Sequence, residues 1–338
     1  MIRRCGRIVP VETEPNRIPP PPGLIRSLAS GFNAVATHIL VIAMPVLFDL
    51  FLWLGPHLRI KALLQPFVDQ LPNLLASPLV ANMPDPQTVL QAWTDFLNHF
   101  NLFSVLHTFP VGVSTLMSLQ MPLQTPLGTP PGLEVGSALG LVACWVLLIV
   151  LGWLLGGLYY LWVSAVTLNL EGRSLWQSLG QTVLLSVIWT ALLFVFGLPA
   201  FILFSIMAVI SSILAEVALF IFAVLALWLV MPIFFSPHGI FTYQQNAFRA
   251  ILNSLRMVRF TLPNTGLFLL VFLLIGQGFD FLWRTPAENT WLTLVGIAGH
   301  AFISTALLAA SFIYYRDMNA WLKAVFEKLR AQATSARS

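Results

Sequence analysis

Five ionisable residues stand where ionisable residues are costly. Asp49, Glu134, Glu216 and Asp280 fall toward one end of separate apolar runs, and His300 lies two to three turns into another. Charge at membrane depth faces a bundle interior, pairs, or lines a hydrated passage, so this set reads as candidate cation ligands or stations of a proton relay. Carboxylates at the interface that reach for headgroups account for the same residues without any site. A second set is basic. Arg249, Arg256 and Arg259 stand beside Phe248, Ile251, Leu252, Leu255 and Val258, whose i, i+3, i+4, i+7 spacing describes an amphipathic helix lying along a membrane surface. Three guanidiniums there are candidate holders of anionic lipid headgroups, and topology alone would also place them there.

Other chemistry is sparse. The chain carries no GxxxxGK, HExxH, GxSxG or CxxC, so the motifs that bring phosphates, zinc, an acyl nucleophile or a redox pair are missing. The expectation is a protein that is not an enzyme and takes no cofactor and no metal. Asp95 and His99, one turn apart, come nearest to a ligand pair, but such a pair is the ordinary content of a solvated helix face. Ser236 and His238 flank Pro237 in what reads as a turn. Cys5 falls in the N-terminal tail and Cys144 in an apolar run, which excludes a disulfide framework.

The elements that must position these residues follow from composition. Hydrophobic residues make up 58% of the 338, charged residues only 9%, and mean hydropathy is +0.84. A soluble domain carries roughly 25% charge, so the class is all-α, a polytopic transmembrane bundle with interfacial amphipathic helices. Six spans are expected: 31–55, kinked at Pro45; 134–169; a long third run kinked near Pro199; a fourth from a turn at 211–215 to Phe235; 262–283; and 291–315. The chain is expected to break at Pro232 and Pro237, with the amphipathic helix over 240–260. Residues 1–26 read as a disordered tail and 316–338 as an amphipathic one carrying Arg316, Lys323, Lys328 and Arg330. Between the first two spans, residues 56–133 carry eleven prolines and read as an outer cap with amphipathic pieces at 58–76 and 87–106. The apolar stretch 100–121 is set aside as a span because it would invert everything after it.

Within the second span, Gly136, Gly140, Gly152 and Gly156 recur at multiples of four and are expected to form one close-packing helix face. Fourteen of the seventeen Arg and Lys fall on one side of this topology, which places both termini in the cytoplasm of a bacterial inner membrane. Tryptophans 53, 283 and 291 and tyrosines 159, 160, 314 and 315 are expected in the two aromatic belts. The hairpins joining spans two to three and four to five read as a parallel repeat.

Gly172, Leu175, Leu179, Gly197, Pro199, Pro232, Gly239, Ala250, Ser254 and Arg259 together resemble an uncharacterised bacterial membrane domain. In some relatives it precedes a glycerophosphodiester phosphodiesterase domain, and YciC-like proteins are similar. The resemblance covers roughly residues 135–275. It implies a multi-span module associated with lipid or envelope processes and supplies no catalytic residue. The phosphodiesterase domain itself is missing.

The reading favoured on these grounds is a non-enzymatic membrane module whose partners are membrane lipids, with other membrane proteins or a second copy as further candidates and no nucleic acid. The alternative is a small-solute or cation transporter with an acidic outer vestibule. What tips the balance is that the middles of the spans carry almost no charge.

Overall fold

Apolar runs of about 20 residues dictate helices, because a helix satisfies its backbone N–H and C=O groups within its own segment. The computed structural model describes residues 20–75, 86–120 and 122–335. Most of the expected N-terminal tail, with Arg3, Arg4, Arg7 and Arg17, lies outside those residues. Helix α1 (Leu24–Thr37) and a 3-10 turn leading into α2 (Ala43–Leu54) meet at 96°. The first span thus starts before Gly31 and bends at His38, not at Pro45. Pro45 sits in the first turn of α2, where a missing N–H costs nothing.

Helices α3 (Lys61–Val68), α4 (Leu71–Leu75) and α5 (Pro86–His99) form the cap at the loop-rich end, and α6 (Met117–Gln120) follows. Strand β1 (His57–Arg59) pairs in parallel with β2 (Gly132–Glu134) and ties the two ends of this region together. Residues 100–118 do not stay in the cap. They form no span, but they enter the bundle as an irregular segment in which Leu102, Leu106, Val111, Val113, Leu116 and Met117 are buried.

Five further helices are long and apolar enough to cross a membrane, and the bent α1–α2 pair makes six if it counts as one span. These are α7 (Ala138–Leu168); α8 (Leu175–Leu192), which continues through a π turn into α9 (Leu198–Ile210); α10 (Ser212–Tyr243); α11 (Ala247–Trp283); and α12 (Thr293–Ser335). The π turn Leu193–Gly197 precedes Pro199 and absorbs the missing donor there. Ser211, in extended conformation, makes the turn into α10.

Helix α10 passes through Pro232 and Pro237 without a break, so residues 240–243 end that helix and do not open the amphipathic one. Pro237 deprives the Ile233 carbonyl of its usual donor, and the Ser236 hydroxyl supplies a replacement at 2.8 Å. The amphipathic segment begins instead at Ala247 and is set off from the span by non-helical geometry at Thr261, two residues before Pro263. Its buried face is the small one, Ala247, Ala250 and Ser254 with Met257 and Val258, while Phe248 and Leu252 are exposed. Size decides this. Small residues let α11 approach α10 closely enough for the Ser254 hydroxyl to donate to the Pro232 carbonyl at 2.7 Å.

Helix α12 is the hub. α1 lies along it with Gly31 against the backbone of Ala306 and Ala310, where a Cβ has no room. Instead of ending at Tyr315, α12 runs on as one helix to Ser335. Tyr159, Tyr314 and Tyr315 are core residues at 1% exposure or less, not a belt. Tyr314 stacks on Phe268 at 4.1 Å. Trp53 is likewise a core residue at 0% exposure, donating to the Glu288 carbonyl, whereas Trp291, 6.0 Å from it at the loop-rich end, is exposed.

The two hairpins compared in the sequence end alike. Asn169 and Gln244 terminate α7 and α10 in left-handed geometry, and Ser174 and Asn246 cap α8 and α11. They also interlock: Arg173 donates to the Thr242 carbonyl at 2.6 Å, and Gln181 accepts from the Ala247 N–H at 2.8 Å.

Candidate functional site

The segment over residues 102–118 is pinned at three levels. Gly152 of α7 faces the Leu106 carbonyl and Thr108, and Gly156 faces the backbone of Gly112, with no room for a side chain at either. Between them the Trp153 indole donates to the Phe109 carbonyl at 3.1 Å. These glycines therefore seat irregular backbone near the middle of α7, and helix packing is not their role. Gly136 has nothing within 4 Å, and Gly140 meets only Ser137 and Val135. The far end of the segment is held by Asp49. Its carboxylate, fully buried, accepts from the Leu116 and Met117 N–H groups at 2.9 and 3.0 Å and from the Thr115 hydroxyl. Asp49 thus caps α6 and anchors the segment, and it is not among the residues lining the cavity that the segment walls.

What this arrangement frames is a cavity of about 300 Å³ between the segment, α7, α10, α11 and α12. Along α11 its wall runs from Arg284 to Phe272, roughly 18 Å at 1.5 Å per residue, which is about half a bilayer core. His107, Ser114, Thr115 and Ser118 face it from the segment, Gln277 and Asp280 from α11, and His300 and Ser304 from α12.

The strongest chemistry on the wall is the Asp280–His300 pair. Asp280 Oδ1 lies 2.7 Å from His300 Nδ1, and the Arg284 guanidinium lies 3.9 Å from Oδ2. A carboxylate only accepts, so Nδ1 carries the hydrogen, and Nε2 becomes the atom that gains or loses a proton. Nε2 is buried without a protein partner. A buried polar atom left unpaired costs about 1–3 kcal/mol, and water or a solute in the adjoining cavity removes that cost.

At the cavity floor the Tyr159 hydroxyl meets Thr305 at 2.8 Å, and Tyr160, Phe234 and Phe272 close the space. Beyond them His238 packs 4.5 Å from Phe312, with Nε2 at 2.7 Å from the Ser311 hydroxyl. His238 thus lies inside α10, not in a turn. On the far side of this aromatic plug the Tyr315 hydroxyl, Gln245 Oε1 and His238 Nδ1 are again buried without a protein partner.

Of the five ionisable candidates, then, only Asp280 and His300 come together in the cavity. Glu134 is outside the membrane-spanning helices, on β2, where its carboxylate accepts from the Ala62 N–H at 3.2 Å. Glu216 is exposed in the second turn of α10, away from the cavity. His99 Nδ1 bonds to the Asp95 backbone carbonyl at 2.7 Å, so these two do not converge as ligands. Among the described residues no group of three His, Cys, Asp or Glu could hold a metal ion.

Of the basic candidates, Arg256 lines a notch of about 320 Å³ together with Lys323 and Arg330, while Arg249 and Arg259 lie outside it. The residues missed from sequence are the neutral ones, Tyr159, Ser304, Thr305 and the hydroxyls of the segment. A signal existed for some of them: Gly276, Asp280 and Arg284 on α11, and His300, Ser304 and Leu308 on α12, each repeat at i, i+4, i+8. Comparison with family models, curated proteins and solved structures finds no match for this chain.

Proposed function

We propose that this multi-pass membrane protein takes a small cation, or a proton, into the cavity walled by Asp280 and His300, as the outward-open state of a transport pathway. The observation that carries the reading is the paired carboxylate and imidazole on the wall of a cavity, lined by both hydroxyls and apolar side chains, that reaches membrane depth. Irregular backbone is tolerated at that depth where it is buried in protein or lines a water-filled space, and residues 107–118 do both. At roughly 30 Å³ per water, about 300 Å³ holds on the order of ten waters or one small solute.

The excess of Arg and Lys at the opposite end supports placing the cavity mouth outside and both termini in the cytoplasm of a bacterial inner membrane. The absence of charge at the midplane counted against transport in the sequence. Buried hydroxyls and His238 supply the polarity there without charge. The site positions and exchanges protons; no residue in it is arranged as an activated nucleophile, and the proposal is of a protein that is not an enzyme. The resemblance of residues 135–275 to the YciC-like membrane domain suits this setting and adds no activity.

The test is flux. The full chain in proteoliposomes should dissipate an imposed H⁺, Na⁺ or K⁺ gradient, read by an entrapped fluorescent indicator. Asp280→Asn and His300→Gln should each lower the initial rate at least tenfold, while Glu216→Gln leaves it unchanged. A wild-type chain that moves none of the three ions, or variants as fast as wild type, would overturn the proposal.

A further inference from the structure

A second built feature lies at the opposite end and owes nothing to the cavity. The amphipathic part of α11, set off by the kink at Thr261, runs beside the extension of α12, and the two are held by the edge-to-face pair Phe260–Phe326 at 5.2 Å. Between them lies the notch of about 320 Å³, with Asn253 and Asn319 half-buried in its walls. Arg256 enters it from α11, and Lys323 and Arg330 from α12, against the single acid Glu327.

Two other cations are committed to acids. Arg284 pairs with Asp280 and Arg316 with Asp317. Among the described residues, Arg256, Lys323 and Arg330 make no ion pair, so three positive charges and two side-chain amides converge on one open space. An anion bearing several acceptor oxygens, a phosphate group, is the complement of that donor set.

The surroundings choose between a soluble and a lipid phosphate. Leu252 and Phe260 lie one turn to either side of Arg256, on the same face of α11, and are 64% and 53% exposed. Large apolar side chains on both flanks of a cationic notch, at the foot of the spans, fit acyl chains leading away from a headgroup. We infer that this notch is a site for the phosphate of an anionic phospholipid, held by Arg256, Lys323 and Arg330. The reading stands whether or not the cavity carries ions.

Calorimetric titration of the detergent-solubilised full chain tests it, with dioctanoyl phosphatidylglycerol, dioctanoyl phosphatidylcholine and inorganic phosphate as probes. Phosphatidylglycerol should bind at least tenfold tighter than either of the others. At about fivefold per cation, Arg256→Gln, Lys323→Gln and Arg330→Gln combined should weaken it about a hundredfold. All three side chains are exposed, so folding is spared and is checked by circular dichroism. Arg249→Gln with Arg259→Gln removes two exposed charges outside the notch and should leave the affinity within twofold. Equal binding of phosphate and phosphatidylglycerol would reassign the notch to a soluble anion and overturn the lipid inference. Equal binding of the two lipids, or a triple variant that binds as wild type does, would remove anion recognition altogether.

Discussion

Replacing Gly156 with alanine should dislodge the irregular segment that walls the cavity. An ideal Cβ at that position falls 2.7 Å from Gly112 Cα, 2.8 Å from Gly112 N and 2.9 Å from the Val111 carbonyl carbon. Ordinary carbon–carbon contact is about 3.5–4.0 Å, so backbone must yield by about 1 Å, and no flexible side chain is there to give way instead. Overpacking of this kind costs about 1–3 kcal/mol. In domains of 150–250 residues each 1 kcal/mol moves Tm by about 2–4 °C, so a drop of about 2–12 °C is expected in detergent. Gly136→Ala is the matched control, with nothing within 4 Å and no expected drop. Displacing the segment should also change access to the cavity. In a background lacking Cys5 and Cys144, a Ser114→Cys thiol should react with a water-soluble reagent severalfold faster when Gly156→Ala is added. If the two alanine variants proved equally stable and labelled alike, the segment would not lie against α7 at depth, and the cavity would lose a wall.

Two smaller perturbations bear on the same frame. Asp49→Asn keeps the shape of the side chain but removes the charge that accepts from Leu116, Met117 and Thr115; it should cost about 2–4 kcal/mol and speed Ser114→Cys labelling, and a variant of wild-type stability would show the anchor to be idle. Burial, with help from Arg59, holds the His57 imidazole below its usual pKa, so the unfolded chain takes up that proton first as pH falls, and the β1–β2 pairing is weakened below about pH 6.5. Protection of the amides at residues 57–59, their exchange measured against the intrinsic rate at each pH, should therefore fall from pH 7 to pH 5.5, and His57→Gln should flatten the profile.

Apolar runs made the helices and their order legible, because length and hydropathy act within a segment. Ser211 as the turn between the third and fourth spans, and the helical disturbance ahead of Pro199, followed from such local signals. What failed was whatever depended on a neighbour. Pro232 and Pro237 read as breaks because the sequence gives no sign that Ser236 re-satisfies the Ile233 carbonyl or that Ser254 binds the Pro232 carbonyl. On α11 the sequence singled out Phe248 and Leu252, which are exposed, and passed over the small face of Ala250 and Ser254 that packs on α10, because hydropathy ranks large apolar side chains first whereas close approach rewards small size. Gly152 and Gly156 were singled out for the right property, the absence of a side chain, and assigned the wrong partner. Asp280 and His300 were both candidates, but only the fold distinguishes this pair, on the cavity wall, from Asp49, which holds the backbone of the segment.

The distribution of unpartnered polar atoms carries the functional argument one step further. His300 Nε2 lies on the cavity side of the aromatic plug, and the Tyr315 hydroxyl, Gln245 Oε1 and His238 Nδ1 lie on the other. If both places were dry, each atom would cost about 1–3 kcal/mol with no return. Hydration on both sides removes that cost and leaves a barrier only as thick as the stretch from Leu308 at the cavity floor to Tyr315. That is two turns of α12, roughly 10 Å. The facing part of α10 lies between Pro232 and Tyr243, where Pro237 has already replaced one backbone hydrogen bond with a side-chain one. Under the transport reading this short length of α10 is the part that has to move, because the helix there is held by exchangeable hydroxyl contacts while the Gly31 face of α1 and the Ala306–Ala310 face of α12 are locked backbone to backbone.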